Sequence, residues 1–175
     1  MPDLLAHYAS SVLLAKTRLG LKESLTLRLV GLLPDVDALL RLHRWVTHSL
    51  TLTLAVALPL LALTYKYKRR HFETATLGTT IYILHIVLDL FTGPTPILYP
   101  LTDPIWIKIQ ADGLYSDGGI TITPRITVKT AKPDFTPQPA IEGPVVSERG
   151  IALATTTAAT LLTSHLTRRK TKRKP

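Results

Sequence analysis

Three short segments, GLLPDVD (residues 31–37), HRWVTHSL (residues 43–50) and IYILHIVLDLF (residues 81–91), place acidic and imidazole side chains beside apolar stretches. The segments contribute six such groups, which are Asp35, Asp37, His43, His48, His85 and Asp89. A carboxylate or imidazole beside hydrocarbon costs free energy unless a partner compensates its polarity. A divalent metal ion is the simplest partner that all three segments could share, so the sequence predicts a metal site.

The composition favours a small membrane protein over a soluble enzyme. The chain of 175 residues has room for one domain. It carries a formal net charge of +9 although 46% of its residues are hydrophobic, and the apolar residues are concentrated in blocks. The chain has no cysteine, which excludes disulfides and thiolate ligands, so nitrogen and oxygen atoms must hold any metal.

The apolar blocks predict membrane-spanning helices. Residues 49–65 carry no charge, although Pro59 should kink a helix there, and residues 74–91 form a second predicted span. A third apolar stretch at residues 151–166 is rich in threonine. Shorter apolar helices are predicted at residues 4–15 and 24–33.

The basic runs predict an orientation for these spans. Lys and Arg at residues 66–70 and 168–174 should lie on the cytoplasmic side, which places the C-terminus in the cytoplasm. His48, His85 and Asp89 then meet near the outer boundary of the membrane, so the site faces outside. The basic tail could also bind nucleic acid, but its use as a topology signal is the better interpretation because no nucleic-acid-binding motif accompanies it.

A short β-rich segment follows the second span. Residues 105–110 and 119–129 alternate apolar and polar side chains around a turn at residues 116–119, which is typical of a β-hairpin. We therefore predict a mainly α fold, a small helical integral membrane protein with a β-rich extramembrane insertion. The predicted divisions of this single domain are a metal-site core at residues 1–100, the insertion and a proline-rich linker at residues 101–149, and the last helix and tail at residues 150–175.

Each candidate ligand also has a structural interpretation. Asp35 or Asp37 could cap a helix over residues 38–45, although that role uses only one of the two. His43 and His48 are five positions apart and would share one centre only if the helix broke near Thr47. His85 and Asp89, four apart on one helical face, could simply hydrogen-bond, or the carboxylate could orient a ligating histidine.

The three motifs together resemble the membrane-bound metal-dependent hydrolases of the LexA-regulated inner-membrane type. That family has PD-x-D, then HR-G-x-THS, then a histidine followed by an aspartate in a later apolar helix. Asp35 and Asp37, His43 and His48, and His85 and Asp89 match in order over about the first hundred residues, while Trp45 replaces the usual glycine. His7 corresponds to a histidine often found near the family's N-terminus; from the sequence it is either a ligand or an interface residue.

The first functional hypothesis is a metal-dependent hydrolase at the membrane boundary. Its expected metal ligands come from the set His7, Asp35, Asp37, His43, His48, His85 and Asp89. Such ligands suit Zn²⁺ best, with Mn²⁺ or Fe²⁺ as alternatives, and their number also allows two ions. Asp37 or Asp89 would accept the proton of water, and Arg44 or Arg41 would clamp an anionic group of the substrate.

The position of the site points to membrane lipids as surroundings and to a lipid, lipid-linked ester or phosphoester as substrate. The second hypothesis is a non-catalytic membrane protein in which the same residues bind a structural metal or relay ions. The sequence does not give the oligomeric state.

Overall fold

The computed structural model describes residues 4–15, 27–42, 44–101, 105–116, 118–131, 136–137, 139 and 146–171. These residues are mainly helical and include one antiparallel β-hairpin. The α-helices are α1 (Leu4–Ala15), α2 (Leu50–Tyr67), α3 (Phe72–Thr92) and α4 (Glu148–Thr171), and the strands are β1 (Ile105–Ser116) and β2 (Gly119–Thr130). Two 3-10 helices lie at Leu33–Leu40 and Arg69–His71.

The helices α2 and α3 form an antiparallel pair joined by the basic turn Arg69–His71. The side-chain oxygen of Ser49 begins α2 by accepting a hydrogen bond from the backbone N–H of Leu52 at 3.1 Å. Pro59 lies inside α2, as membrane helices allow. Leu50–Tyr67 and Arg69–Thr92 are both long and apolar enough to cross a membrane, which agrees with the first two predicted spans.

The large apolar side chains of α2 face outward from the protein. None of the residues of α2 is buried, and Val56, Leu58 and Leu60 are each more than half exposed. A helix of this composition would be unstable in water because no other described segment of the chain covers its outward-facing apolar side chains. Lipid chains provide that cover in a membrane.

The third predicted span, residues 151–166, is helical but is less apolar than the first two. The helix forms over Glu148–Thr171, longer than predicted, but within the described ranges only the two helices above are long and apolar enough to cross. The threonine side chains and the basic end of α4 lower its hydropathy, so this span stays a prediction. The 12-residue helix α1 packs against α4 through small buried side chains such as Ala9, Ser11 and Thr157.

The helix predicted over residues 38–45 is wrong. A 3-10 helix covers Leu33–Leu40, and the chain then turns through Arg41 and Arg44, whose φ angles are 58° and 63°. The cause is Asp37, whose side chain accepts hydrogen bonds from the backbone N–H groups of Arg44 and Trp45. A side chain that bonds to the backbone in this way competes with the helical ladder. Of the helix predicted at residues 24–33, residues 27–30 are helical and 24–26 lie outside the described residues.

The predicted β-hairpin is present. Its strands pair from Ile105↔Thr130 to Ser116↔Gly119, so β1 is longer than the sequence alternation indicated. Pro124 pairs with Ala111, and β2 tolerates it because both strands of a two-stranded sheet are edges. At the base of the hairpin, Thr95 and Ile107 exchange two backbone hydrogen bonds of 2.9 and 3.0 Å, which tie β1 to the segment after α3.

The chain divides into two compact units. The first comprises Met1–Leu32 and Glu142–Pro175, and the second comprises Leu33–Ile141. The second unit contains the 3-10 helix Leu33–Leu40, the α2–α3 pair and the hairpin. The three-part division predicted from the sequence follows chain order rather than compactness and stays a prediction.

Candidate metal centre

Four side chains of the second unit bring potential ligand atoms together at the end of the α2–α3 pair. The atoms lie within 4.8 Å of one another and belong to Asp35, His48, His85 and Asp89. His48 Nε2 lies 3.7 Å from Asp35 Oδ1 and 3.1 Å from Asp89 Oδ2. His85 Nε2 lies 3.6 Å and 3.8 Å from the same two oxygens. We call these four residues the cluster.

Three elements position the cluster. Asp35 lies on the 3-10 helix Leu33–Leu40, and His48 lies directly before the Ser49 cap of α2. His85 and Asp89 are one turn apart on α3, so their side chains share one face of that helix. Because α2 begins where antiparallel α3 ends, His48 meets this pair at one end of the two helices. Asp35 retains 7% of its accessible surface and the other three retain 2% or less.

The separations fit a metal ion better than direct hydrogen bonds. A tetrahedral site with bonds of about 2.1 Å places its ligand atoms roughly 3.4 Å apart. The four measured nitrogen–oxygen separations, from 3.1 to 3.8 Å, lie on both sides of that value. Most of them exceed the 2.7–3.2 Å typical of an N–H···O hydrogen bond.

Asp35 is the clearest reason why the cluster could hold a cation. Both of its carboxylate oxygens are buried, and neither accepts a hydrogen bond within the described part of the chain. Leaving an ionised carboxylate buried without compensation costs several kcal/mol or more. Its Oδ1 atom instead faces the Nε2 atoms of His48 and His85. A divalent ion between these atoms would compensate the carboxylate.

Asp37 lies beside the cluster and organises the loop that carries His48. Its Oδ2 accepts hydrogen bonds from Arg44 N at 2.8 Å, from Trp45 N at 3.4 Å and from Thr47 Oγ1 at 2.7 Å. The same oxygen lies 3.4 Å from Nδ1 of His48. The imidazole is thus held through Nδ1 while Nε2 points into the cluster. A carboxylate behind a histidine in this way fixes the ring of a metal ligand.

The charges around His48 favour a cation at this position. Burial alone would lower the pKa of His48, but hydrogen bonds and charge from Asp37 and Asp89 outweigh burial and raise the pKa above its ordinary value. The carboxylates therefore favour positive charge on or beside this ring. A proton and a metal ion both meet that demand, and they compete for the ring nitrogen.

Arg44 contacts the same carboxylate oxygen of Asp89 as His48. Its Nε lies 3.3 Å from Asp89 Oδ2, and its Nη2 donates to Thr92 Oγ1 at 2.8 Å. Arg44 is buried, and Gly93 leaves the space that its guanidinium fills, because a Cβ added to Gly93 would overlap Nη1. In this arrangement the Arg44 guanidinium is engaged inside the protein by Asp89 and Thr92.

Aromatic side chains surround the loop of residues 44–48. The ring of Trp45 meets Tyr99 and Trp106 edge-on, with ring centroids 6.1 Å and 4.9 Å apart. Tyr82 donates its hydroxyl to the backbone oxygen of Thr47 at 2.7 Å. These contacts fix the loop between α3 and the base of the hairpin.

Sequence reasoning predicted seven metal ligands, and the structure places them in different settings. Four form the cluster, and Asp37 contacts His48 from behind. His43 lies outside the described residues. His7 is buried on α1 in the first unit, where its backbone oxygen accepts a hydrogen bond from Ser11 at 2.7 Å, and its role as a ligand stays a prediction.

Sequence reasoning missed Thr92 and Gly93. The available signal was spacing: Thr92 follows Asp89 by three residues on the same helical face, and Gly93 directly follows α3. A threonine and a glycine at the end of a helix have common capping uses, so this signal is weak without the structure.

The comparison with known families adds one finding. Residues 4–170 match the family described as YdjM inner membrane protein. The chain belongs to this family. No curated protein and no solved structure matches it. Together with the two apolar helices, membership of the YdjM family establishes a membrane protein, and the family name states no reaction.

We predict that Gly93→Ala destabilises the second unit. The backbone of Gly93 is extended (φ −167°), so alanine fits the backbone, but its Cβ would push Arg44 away from Asp89 and Thr92. Overpacking of this kind costs about 1–3 kcal/mol. The free energy of unfolding of the detergent-solubilised protein would measure the loss.

Gly113→Ala is the matched control, because its Cβ would have no heavy atom within 4 Å. It should unfold like the unmodified protein. Equal stability of the two variants would mean that the Arg44 side chain moves aside without cost.

Proposed function

We propose that this YdjM-family protein binds one divalent metal ion in the cluster and hydrolyses an ester at the membrane boundary. Asp35, His48 and His85 would hold the ion, and Asp89 would act beside it. The observation that carries the proposal is the buried carboxylate of Asp35, which faces two imidazole nitrogens at 3.6 and 3.7 Å. The resemblance to metal-dependent membrane hydrolases supplies the reaction class.

The donor atoms favour Zn²⁺. Two imidazole nitrogens and one carboxylate oxygen, with no sulfur, match the ligands of many catalytic zinc sites, in which water takes the fourth position. The same two-histidine, one-carboxylate set also suits Fe²⁺, and Mn²⁺ accepts such ligands. Metal content of the purified protein distinguishes these ions.

Arg44 supports a separate role for Asp89. The guanidinium lies 3.3 Å from Asp89 Oδ2, the same oxygen that lies 3.1 Å from His48 Nε2. A positive charge at that distance competes with a metal ion for the carboxylate. It also holds the carboxylate in one position, as a proton acceptor requires.

A bound divalent ion would polarise the ester and lower the pKa of water. Asp89 would accept the proton of the attacking water and return it to the leaving oxygen. Asp37 is the weaker candidate for this step because its Oδ2 already accepts hydrogen bonds from Arg44, Trp45 and Thr47. Arg44 would position Asp89, which replaces the anion clamp expected from the sequence.

The proposed substrate is a lipid, a lipid-linked ester or a phosphoester. The cluster lies at the end of two apolar helices whose outer surfaces suit lipid chains. An ester group at the headgroup level of a lipid would lie near the same depth. Membrane lipids are thus the proposed surroundings and the proposed source of substrate.

A second candidate is a structural metal site without catalysis. Four ligand atoms from the protein complete a tetrahedron and leave no position for water, as in structural zinc sites. In that case Asp89 would be a ligand rather than a base. The two candidates therefore differ in the role of one residue.

We expect the cluster to determine metal content. His48→Ala, His85→Ala and Asp35→Asn should each lose bound metal, because a site with one ligand fewer holds the ion weakly, and changes behind the ligands alone cost roughly 10–100-fold. Metal per protein, measured by mass spectrometry before and after chelation, would test this.

His71→Ala is the control for metal content. His71 is exposed in the basic turn, about 20 Å along α3 from His85 at 1.5 Å per residue. Its removal should leave the metal unchanged. Folded, inserted cluster variants that all retain the metal would refute the metal site.

Asp89→Asn separates the two candidates. A hydrolase should keep most of its metal in this variant but lose release of fatty acid or phosphate from a panel of lipid esters and phosphoesters, because the amide cannot accept the proton. Removal of a general base typically costs about 10²–10⁴-fold in rate. If Asp89→Asn instead loses the metal, and the unmodified protein cleaves none of the panel, the structural candidate is correct.

The proposed orientation places the cluster outside and the C-terminus in the cytoplasm. The chain has no cysteine, so a single introduced thiol is the only one present. Lys68→Cys should resist an impermeant thiol reagent added to intact cells, and Ser116→Cys should react. The reverse pattern would place the cluster on the cytoplasmic side.

A further inference from the structure

The two faces of the β-hairpin differ in chemistry. Residues paired across an antiparallel ladder point to the same face, and side chains alternate along each strand. The pairs Ile107↔Val128, Ile109↔Ile126, Gly113↔Ile122 and Tyr115↔Ile120 therefore share one face. With Ile105, Ala111 and Pro124, this surface is apolar along almost the whole hairpin; we call it the apolar face.

The opposite face is polar and basic over most of its length. It carries Lys108, Gln110, Arg125, Lys129 and threonines of β2. Its one acid, Asp112, lies 3.6 Å from Arg125. The base of this face carries Trp106, which contacts Trp45 beside the cluster. The hairpin is thus attached to the rest of the unit through Trp106 on this face and through the backbone of Ile107 at the edge of β1.

The apolar face is exposed in its outer half. Tyr115, Ile120 and Ile122 retain 83%, 74% and 68% of their accessible surface. Adjoining exposed apolar residues of this number mark an interaction surface on a folded protein. A two-stranded hairpin is also marginal by itself in water, so it needs a surface to pack on.

We propose that the apolar face lies on the bilayer, with its side chains in lipid and its basic face among the headgroups. The hairpin starts close to the end of α3, a membrane-spanning candidate, and Thr95 is bonded to Ile107 at its base. Its strands have 12 residues, or roughly 40 Å at 3.3 Å per residue, enough to extend well across the membrane surface. Aromatic residues at the base, Trp45, Tyr99 and Trp106, are the types enriched at membrane boundaries.

Charge favours a lipid surface over a second copy of this chain. An apolar face backed by Lys108, Arg125 and Lys129 matches the chemistry of segments that lie on anionic membranes. Two copies of a chain with a formal net charge of +9 repel each other, whereas anionic headgroups attract each of them. This inference rests on membrane localisation and does not depend on a metal or a reaction.

Spin labels on single cysteines can test the inference in the full-length protein, reconstituted in vesicles of neutral and anionic phospholipid. The neighbouring pairs Ile120→Cys with Thr121→Cys and Ile122→Cys with Thr123→Cys sample the two faces at the same depth along the hairpin. Labels at 120 and 122 should collide more often with oxygen, which concentrates in lipid, than with a water-soluble nickel complex. Labels at 121 and 123 should show the opposite preference.

Two results would overturn the inference. Equal nickel accessibility at all four positions would mean that the hairpin projects into water. Strong spin–spin broadening at 120 and 122 that persists when the lipid-to-protein ratio is raised would mean that a second copy covers the apolar face. A normal thermal unfolding transition for each variant ensures that the labels report on folded protein.

Discussion

The second unit depends on one constraint, the buried carboxylate of Asp35, which accepts no hydrogen bond from any residue that the structure describes. Asp35 faces the imidazoles of His48 and His85, and these three residues come from a 3-10 helix, the start of α2 and the end of α3. Burying such a group is unfavourable unless a cation compensates it. A cation that does so would also join the segment that carries Asp35 and His48 to the end of α3, which the chain connects only through α2, the basic turn and the length of α3. Metal binding at this cluster would therefore be coupled to packing at this end of the helices.

The neighbours of the cluster restrict what each member can do. Asp37 contacts Nδ1 of His48, and its carboxylate also accepts hydrogen bonds from the loop of residues 44–47. Arg44 contacts the same oxygen of Asp89, Oδ2, that lies near His48 and His85. Both arginines of the loop, Arg41 and Arg44, adopt left-handed φ angles, which cost energy for residues with a Cβ. The hydrogen bonds of Asp37 and the packing of Trp45 between Tyr99 and Trp106 offset that cost.

The sequence predicted those parts of the fold and of the cluster that depend on regular spacing of residues along the chain. The apolar blocks of the sequence predicted α2 and α3, and the alternation of apolar and polar residues predicted the hairpin. The four-residue spacing of His85 and Asp89 predicted that they share one face of α3. The prediction of a helix at residues 38–45 was wrong because the side chain of Asp37 accepts a backbone hydrogen bond from Arg44. That bond replaces the hydrogen-bond pattern of an α-helix at this point. The contact of Arg44 with Asp89 joins residues 45 positions apart through a space left by Gly93. No local pattern encodes such a contact.

Charge balance supports one ion rather than two. Asp35, Asp37 and Asp89 carry three negative charges when ionised, and the buried Arg44 carries one positive charge. Among these described groups two negative charges remain, which one divalent ion neutralises. A second ion would leave two positive charges in surroundings of low dielectric constant, where uncompensated charge is costly. Without any ion, a proton on His48 would remove one of these two negative charges, and the carboxylates of Asp37 and Asp89 raise the pKa of this ring. The same carboxylates thus raise the pKa of His48 and would also suit the proposed single divalent ion.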